Sequence, residues 1–404
     1  MPRFLQDKTI LLGLTGGIAC YKSAEVARLL VRSGARVHAL MSAAAQQFIT
    51  PLTLQSLTGQ AVATDLFELS RELQIGHIQL ADMADAYLIA PATADVLAKL
   101  AAGHADDVVT TVALATRAPV LVAPSMNVNM FEHPLVQQNL ARLRDIGYRV
   151  IPPGEGELAC GWHGKGRLAE PPALLAEVER AVRVPDLRGE RVVVTAGPTR
   201  EFLDPIRFLT NRSSGKMGFA LAEAAWRRGA DVVLITGPVA LSTPYGVRRQ
   251  DVVSAQDMYE ALAHEFDRAS IVLMCAAVAD YKPAERRATK VKKQDRRWAL
   301  ELEPTVDILS TLAPRKGKQF LVGFAAETEQ LESFGREKLV RKGLDLVVAN
   351  DVSRTDAGME SDFNAALLLD RLGGRLELPL MPKADLAEAI LDRVVEIRKQ
   401  MVAS

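Results

Sequence analysis

The length and composition of the chain are those of a multidomain globular protein. Its 404 residues exceed one ordinary domain and suffice for two, each with its own core. Apolar residues make up 49% and charged residues 24%, which excludes a wholly disordered chain. Lys+Arg and Asp+Glu both number 49, so net charge provides no general attraction to nucleic acid or to anionic membranes.

The cysteine content and the N-terminal sequence predict a cytoplasmic protein. Cys20, Cys160 and Cys275 are too few and too far apart for a disulfide framework or a structural zinc site. Residues 1–17 lack the layout of a secretory signal peptide. No run approaches the ~20 apolar residues that span a bilayer. We therefore expect neither a membrane partner nor a nucleic-acid partner.

The first half of the chain alternates short apolar runs with longer amphipathic segments. These patterns predict strands at 9–14, 36–41, 86–90 and 120–122, and helices at 19–32, 94–101, 135–144 and 172–182. A loop rich in glycine and proline is expected at 152–165. Strands that are apolar throughout and alternate with helices indicate a parallel sheet covered on both faces.

A linker at 183–190 precedes a second series of the same kind. The patterns predict strands at 191–196, 231–235, 271–275, 320–324, 346–349 and 366–369, and helices at 219–228, 256–266, 327–341 and 384–399. The sequence therefore predicts an α/β protein with two tandem doubly wound, Rossmann-like domains, residues 1–189 and 190–404.

Three glycine-containing segments are candidates for nucleotide or phosphate binding. The turn at 13–18 links a strand to a helix, where free N–H groups suit a phosphate, although glycine in such a turn is as often purely steric. Residues 154–159 match G-x-G-x-x-A but lack the strand and helix of a dinucleotide site. Residues 214–217 fail as a phosphate-binding P-loop, because Thr210 replaces the first glycine and Met217 the magnesium-binding hydroxyl.

Longer motifs occur in a fixed order along the chain. In the first half they are GHI (76–78), APATA (90–94), PSMNVNM (124–130) and ACG (159–161). In the second half they are AGPTRE (196–201), NRSSGKMG (211–218), AAVADY (276–281), KVKK (290–293) and GFAAET (323–328). The first set resembles the flavin-dependent cysteine decarboxylases, in particular phosphopantothenoylcysteine decarboxylases, and the second resembles phosphopantothenate–cysteine ligases. Over nearly its whole length the chain is similar to the bifunctional bacterial coenzyme A biosynthesis family.

For residues 1–189 the resemblance implies a flavodoxin-like domain that decarboxylates 4′-phosphopantothenoylcysteine with FMN. In this family FMN withdraws electrons from the thiol-bearing carbon before CO2 leaves and returns them afterwards. The family also forms its FMN site between subunits, which implies trimers or multiples of trimers. Carried over position by position, the FMN-binding residues are Gly16, Gly17, Ser42, Thr93, Ser125 and Met126.

The same resemblance makes His77, Asn127 and Cys160 the catalytic residues of this domain. A histidine titrates near neutrality and suits acid–base catalysis. A lone histidine at this position would more often be a helix-start residue bonded to the backbone, but the accompanying motifs favour catalysis for His77. The Asn127 amide could hold the substrate carboxylate or cap the following helix. Cys160 is expected to donate the late proton from a mobile flap. Cys20 and Cys275 are expected to be inert.

For residues 190–404 the resemblance implies that cysteine is joined to 4′-phosphopantothenate through an acyl-cytidylate, with CTP and Mg²⁺. Asn211 and Lys290 are the implied catalytic residues, and the metal ligands remain open. Residues 303–308 read EPTVDI where such ligases often have Asn-Pro-Asp, which leaves the base-reading residue open. The nucleotide-binding residues are Met274, Cys275, Ala276, Asp280, Lys290, Thr305, Val306, Asp307, Ile308, Phe324, Lys338 and Lys342.

A basic segment at 282–297 carries eight basic residues and two acidic ones. It could be a solvated charge run, a nucleic-acid patch or a triphosphate clamp. Only one aromatic residue, Trp298, follows it directly, which argues against binding of single strands. Its place between two glycine-bearing α/β segments favours the triphosphate clamp. Two alternative functions for the whole chain each make a distinct demand on the sequence. An NAD(P)-linked flavin reductase would need a G-x-G-x-x-G turn at the start of the second domain, where none occurs. A non-catalytic flavoprotein subunit would be expected to lack the catalytic positions.

Overall fold

A computed structural model describes residues 4–66, 76–157, 161–292, 298–327, 330–351 and 361–403. The chain forms two compact units, Met1–Arg183 and Val184–Ser404. The division lies within the predicted linker, a few residues before the predicted domain boundary at 189. Leu187 explains the difference, because it is fully buried and its N–H donates to the carbonyl of Arg228 at 3.0 Å.

The first unit contains a five-stranded sheet. Its strands are β1 (Thr9–Leu14), β2 (Arg36–Met41), β3 (Ala86–Ala92), β4 (Val120–Pro124) and β5 (Arg149–Val150). All neighbouring pairs are parallel, in the order β2-β1-β3-β4-β5. This is the flavodoxin-like order, so the predicted fold of this unit is confirmed.

Helices cover both faces of this sheet. They are α1 (Cys20–Arg32), α2 (Pro51–Thr58), α3 (His77–Met83), α4 (Ala94–Ala102), α5 (Val108–Ala115), α6 (Val128–Glu132), α7 (Pro134–Asp145) and α8 (Pro171–Val182). Leu12 and Leu11 of β1 belong to two different hydrophobic cores, one on each face. A strand buried on both sides needs apolar residues throughout, which is why the sequence pattern did not alternate.

The predicted loop at 152–165 is instead largely a hairpin. Strands β6 (Gly154–Glu157) and β7 (His163–Arg167) pair in antiparallel register, and the three residues before Gly161 lie outside the described residues. Glycine and charged residues alternate in these strands, so they carry no apolar signal. Backbone pairing alone defines them.

The second unit contains an eight-stranded mixed sheet and is also α/β, as predicted. Its strands are β8 (Arg191–Ala196), β11 (Asp231–Thr236), β12 (Arg248–Asp251), β13 (Ile271–Met274), β16 (Phe320–Glu327), β17 (Leu346–Asp351), β18 (Phe363–Asp370) and β19 (Arg375–Pro382). The order is β12-β11-β8-β13-β16-β17-β18-β19, and only the last two pairs are antiparallel. The chain reverses its direction of winding between β8 and β13, where doubly wound sheets form a ligand crevice.

In its described residues this unit also has two small hairpins and five α-helices. The hairpins pair β9 (Arg200–Phe202) with β10 (Phe208–Thr210), and β14 (Tyr281–Pro283) with β15 (Leu302–Pro304). The helices are α9 (Lys216–Arg227), α10 (Ala255–Phe266), α11 (Ile308–Leu312), α12 (Leu331–Arg341) and α13 (Lys383–Ala403). The helix predicted from residue 327 begins only at Leu331, because β16 continues to Glu327 in register with Asp351. Within the described ranges no helix has both the length and the apolarity to cross a membrane.

Candidate active sites

A cavity of about 1010 Å³ lies in the first unit, where β1, β2, β3 and β4 end. This is the edge at which parallel sheets of this kind bind ligands. All six predicted FMN-binding residues line this cavity: Gly16, Gly17, Ser42, Thr93, Ser125 and Met126. Asn127 lines it as well.

The glycine turn after β1 is packed so closely that one position admits only glycine. A Cβ on Gly16 would lie 2.5 Å from the Cβ of Ala44, whereas a Cβ on Gly17 would lie 3.7 Å from the nearest atom, on Thr93. Thr15 fixes the turn against β3: its Oγ1 donates to the carbonyl of Pro91 at 2.6 Å and accepts the N–H of Thr93 at 3.1 Å. The turn therefore lets a ligand approach the backbone before α1.

Two hydroxyl groups face this turn from the neighbouring strand ends. Ser42 Oγ accepts the N–H of Ala45 at 3.2 Å, and Thr93 Oγ1 caps α4 by accepting the N–H of Val96 at 3.4 Å. A hydroxyl that accepts in this way retains its own hydrogen for donation to an anionic oxygen. Both side chains can therefore serve a phosphate while they hold the local backbone.

Asn127 caps a helix and also lines the cavity. Its Oδ1 accepts the N–H of Asn129 at 2.9 Å at the start of α6. The β6–β7 hairpin packs directly on this segment: the Met126 N–H donates to the carbonyl of Gly166 at 3.0 Å. A Cβ on Gly166 would lie 2.3 Å from the Met126 carbonyl oxygen. Asn127 therefore caps α6, as one alternative predicted, and also lies at the cavity, as binding of a substrate would require.

Three cations that the sequence interpretation missed also line this cavity. They are Lys22, Lys99 and Arg167. Lys22 Nζ lies 2.9 Å from Glu170 Oε1, and Arg167 Nη2 lies 3.4 Å from the same oxygen. The hydrogen bond to Asp106 raises the pKa of Lys99. A single lysine on an amphipathic helix resembles a solvated residue, and the only available signal for Lys22 was its place in the first turn after the glycines.

The remaining predicted residues of this unit are not gathered there. His77 is the first residue of α3 and is not among the described residues that line the cavity. Cys160 lies outside the described residues. Cys20 is buried, its Sγ donates to the carbonyl of Thr15 at 3.1 Å, and burial raises the pKa of its thiol.

The second unit has a cavity of about 120 Å³ between the start of α9 and the ends of β13 and β16. Three predicted nucleotide-binding residues line it, namely Cys275, Ala276 and Phe324. Burial raises the pKa of the Cys275 thiol to about 12, which keeps it protonated. Lys383 also lines this cavity with only 5% of its surface exposed, and burial lowers the pKa of its ammonium group.

Other predicted nucleotide-binding residues lie around the ends of the β14–β15 hairpin and α11. The Thr305 N–H donates to the carbonyl of Asp280 at 2.9 Å. Lys342 Nζ forms an ion pair with Asp307, which caps α11. Burial raises the pKa of the Asp307 carboxyl, but hydrogen bonds from Lys342 and Ser310 outweigh it and hold that pKa below its ordinary value.

The other predicted residues of this unit differ in burial and in their hydrogen-bond partners. Lys338 Nζ donates to the carbonyl of Phe324 at 2.6 Å. Ile308 is buried, Val306 packs against the core, and Met274 ends β13 with 8% of its surface exposed. Asn211 and Lys290 do not line the smaller cavity among the described residues. Asn211 Nδ2 donates to the carbonyl of Val278 at 2.8 Å, and Lys290 is exposed.

Two protein-family models match the chain, one for each structural unit. A family model described as Flavoprotein matches residues 2–183, and one described as DNA/pantothenate metabolism flavoprotein C-terminal domain matches residues 187–397. Two proteins named Coenzyme A biosynthesis bifunctional protein CoaBC align with the chain almost end to end. The one from Bacillus subtilis (strain 168) is 48% identical and covers 98% of each chain; that from Escherichia coli (strain K12) is 44% identical and covers 97% of each. The chain belongs to this bifunctional family.

A solved structure, the C-terminal domain of CoaBC, is 42% identical over 54% of this chain and 99% of its own, with a TM-score of 0.47. Because the relatives are bifunctional, each of the two cavities is a candidate site for one activity. In the described part of the chain no group of three or more His, Cys, Asp or Glu side chains could hold a metal ion.

Proposed function

We propose that this chain catalyses two consecutive steps of coenzyme A biosynthesis. The second unit joins cysteine to 4′-phosphopantothenate through an acyl-cytidylate, and the first decarboxylates 4′-phosphopantothenoylcysteine to 4′-phosphopantetheine. The full-length similarity to the bifunctional relatives carries this proposal. The convergence of the six predicted FMN-binding residues on one cavity supports it independently.

The larger cavity suits FMN in size and in chemistry. Its volume is at the upper end of the ~300–1,000 Å³ typical of cofactor sites. Gly16 and Gly17 open the backbone to a phosphate, Ser42 and Thr93 offer hydroxyl hydrogens, and Lys22 adds a cation at the same wall. When bound, FMN supplies reversible two-electron chemistry at the thiol-bearing carbon.

The chain's own residues orient the substrate and move protons. Asn127 is proposed to hold the substrate carboxylate, His77 to act as acid or base, and Cys160 to donate the late proton. Ile18 and Tyr21 line the cavity although they are 58% and 63% exposed, as a surface covered by another subunit would be. A trimer, or a multiple of one, would allow His77 of one chain to reach the cavity of the next. Cytoplasmic location stays a prediction from the sequence.

In the second unit the proposed reaction has two half-reactions. The phosphopantothenate carboxylate attacks the α-phosphorus of CTP, and pyrophosphate leaves with the electrons of the broken P–O bond. The cysteine amine then attacks the acyl carbon, and cytidine monophosphate leaves. Lys290 is proposed to neutralise the triphosphate and Asn211 to orient the acyl group, with Mg²⁺ arriving on CTP. Cys275, Ala276 and the other predicted nucleotide-binding residues are proposed to hold CTP.

One incubation tests the overall proposal. Purified protein supplied with FMN, Mg²⁺, phosphopantothenate, cysteine and CTP should release pyrophosphate and yield phosphopantetheine, detected by mass. Omission of CTP should leave phosphopantothenate unchanged, and FMN-free protein should accumulate phosphopantothenoylcysteine. Absence of both products would refute the proposal. Bleaching of the flavin by NADPH under anaerobic conditions would instead favour the reductase.

Gly16→Ala should produce protein that is both less stable and free of flavin. The added Cβ collides with Ala44 at 2.5 Å, so the turn must shift whether or not FMN is present. Gly17→Ala is the matched control, because its nearest neighbours lie at 3.7 and 3.8 Å. It should melt like wild-type apoprotein, and any effect should appear only in FMN affinity. Full flavin occupancy in Gly16→Ala, measured by absorbance, would contradict the assignment of this turn.

A further inference from the structure

A fully buried carboxylate joins the β9–β10 turn to the loop that carries Lys290. Asp204 has 0% exposure. Its Oδ1 accepts the N–H groups of Ile206 and Arg207, both at 2.9 Å. Its Oδ2 accepts the Arg207 guanidinium at 2.9 Å and the N–H of Val291 at 3.2 Å. Three of the four bonds are local, but the fourth reaches a residue 87 positions away.

Further bonds attach the same loop to the same turn. Arg207 Nη1 donates to the carbonyl of Val291 at 3.0 Å, so both backbone groups of Val291 are engaged. The Arg287 N–H donates to the carbonyl of Leu203 at 2.8 Å. Hydrogen bonds to the β9–β10 turn therefore hold the backbone at both residue 287 and residue 291, and Lys290 is adjacent to the second of these positions. The Lys290 side chain itself is exposed.

The carboxylate has the chemistry that such an anchor requires. A buried charge is stable only when it is paired and hydrogen-bonded, and Asp204 meets both conditions. Burial raises the pKa of Asp204, but the backbone N–H groups of Ile206, Arg207 and Val291 outweigh it and hold that pKa below its ordinary value. The group therefore stays ionised at neutral pH and accepts from all four donors.

The local turn alone does not account for this arrangement. The bonds to Ile206 and Arg207 are sufficient for a turn of this kind. The bond to Val291 orders an exposed loop before a ligand binds, so the loop loses less conformational entropy on binding. Fixing a charged group in advance is what makes it effective against a developing charge. We infer that Asp204 is a positioning residue of the ligase reaction, which holds Lys290 where the triphosphate of CTP needs it. The inference rests on the proposed role of Lys290.

A double-mutant cycle tests whether Asp204 acts through Lys290. The variants are Asp204→Asn, Lys290→Gln and the pair together, with pyrophosphate release measured from CTP and phosphopantothenate in the full chain without cysteine. Asp204→Asn alone should lower kcat/KM for CTP about tenfold, the loss expected for one charge-assisted hydrogen bond. In the Lys290→Gln background the same change should cost less than about twofold, because residues that act as a unit are not additive.

Two further measurements separate positioning from general destabilisation. Decarboxylation by Asp204→Asn should match wild type, and hydrogen exchange should accelerate at 287–292. Since Asp204→Asn could impair folding of the second unit, Val291→Pro offers a second route: it deletes the donor from the loop side and leaves the turn intact. It should reproduce the loss of kcat/KM for CTP.

The outcomes bear separately on the inference and on the proposed function. An equal loss from Asp204→Asn in both backgrounds would overturn the inference and leave the role of Lys290 standing. Wild-type pyrophosphate release by Lys290→Gln would refute the proposed role of Lys290, and the inference with it. A loss in the wild-type background that vanishes in the Lys290→Gln background would support both.

Discussion

Asn127→Asp is expected to slow decarboxylation about 10³-fold without lowering thermal stability. Aspartate caps a helix as well as asparagine does, so the bond to the Asn129 N–H is preserved. In the role proposed for Asn127, the new carboxylate would face the substrate carboxylate in the cavity. Two like charges about 4 Å apart at a protein surface repel by about 4 kcal/mol, and each ~1.4 kcal/mol is a factor of ten.

The measurement is the rate of phosphopantetheine formation from phosphopantothenoylcysteine, beside the melting temperature of the FMN-loaded protein. Asn129→Asp is a matched control, since it adds the same charge to an exposed residue that is not among the described lining residues of the cavity. It should remain near the wild-type rate. If Asn127→Asp also did so, the residue would be a helix cap and nothing more.

The sheets were predictable because burial on both faces leaves a direct trace in sequence. Every residue of β1 is buried, and so is every residue of its neighbour β3, so both strands are almost wholly apolar. The β6–β7 hairpin and β19 left no such trace. Every residue of β19 is exposed or half-buried, so its pairing with β18 depends on backbone hydrogen bonds and not on burial of side chains.

The sequence predicts which residues lie together where a motif follows a strand end, and does not where side chains meet from distant parts of the chain. Gly16, Thr93 and Ser125 each follow a strand of one parallel sheet, so topology alone brings them together. Lys383 and Asp204 gave no local signal. Lys383 begins an ordinary amphipathic helix. Asp204 contacts the loop that carries Lys290 through a hydrogen bond from Val291, 87 positions away, which the sequence around Asp204 does not indicate.

Asn211→Asp is expected to let the acyl-cytidylate accumulate. In the structure Asn211 Nδ2 donates to the carbonyl of Val278, within the segment that follows β13. A carboxylate cannot donate, so the bond becomes a repulsion between two oxygens. In the role proposed for Asn211, the added charge would also face an acyl group already attached to a phosphate. Loss of a preorganised donor typically costs about 10²–10³ in rate. Lys290 is untouched, so formation of the acyl-cytidylate should proceed and the attack by cysteine should be the slow step.

A quenched reaction with CTP and phosphopantothenate, with and without cysteine, distinguishes the two half-reactions. Asn211→Asp should release pyrophosphate at close to the wild-type rate in the first turnover and then retain an acyl-nucleotide that wild type consumes once cysteine is added. Asn211→Ala removes the bond to Val278 without adding charge, and should slow cysteine attack less. Slow pyrophosphate release from Asn211→Asp with no accumulated intermediate would place Asn211 in nucleotide activation instead. The roles of Asn211 and Lys290 would then not divide between the two half-reactions, because both residues would serve the first.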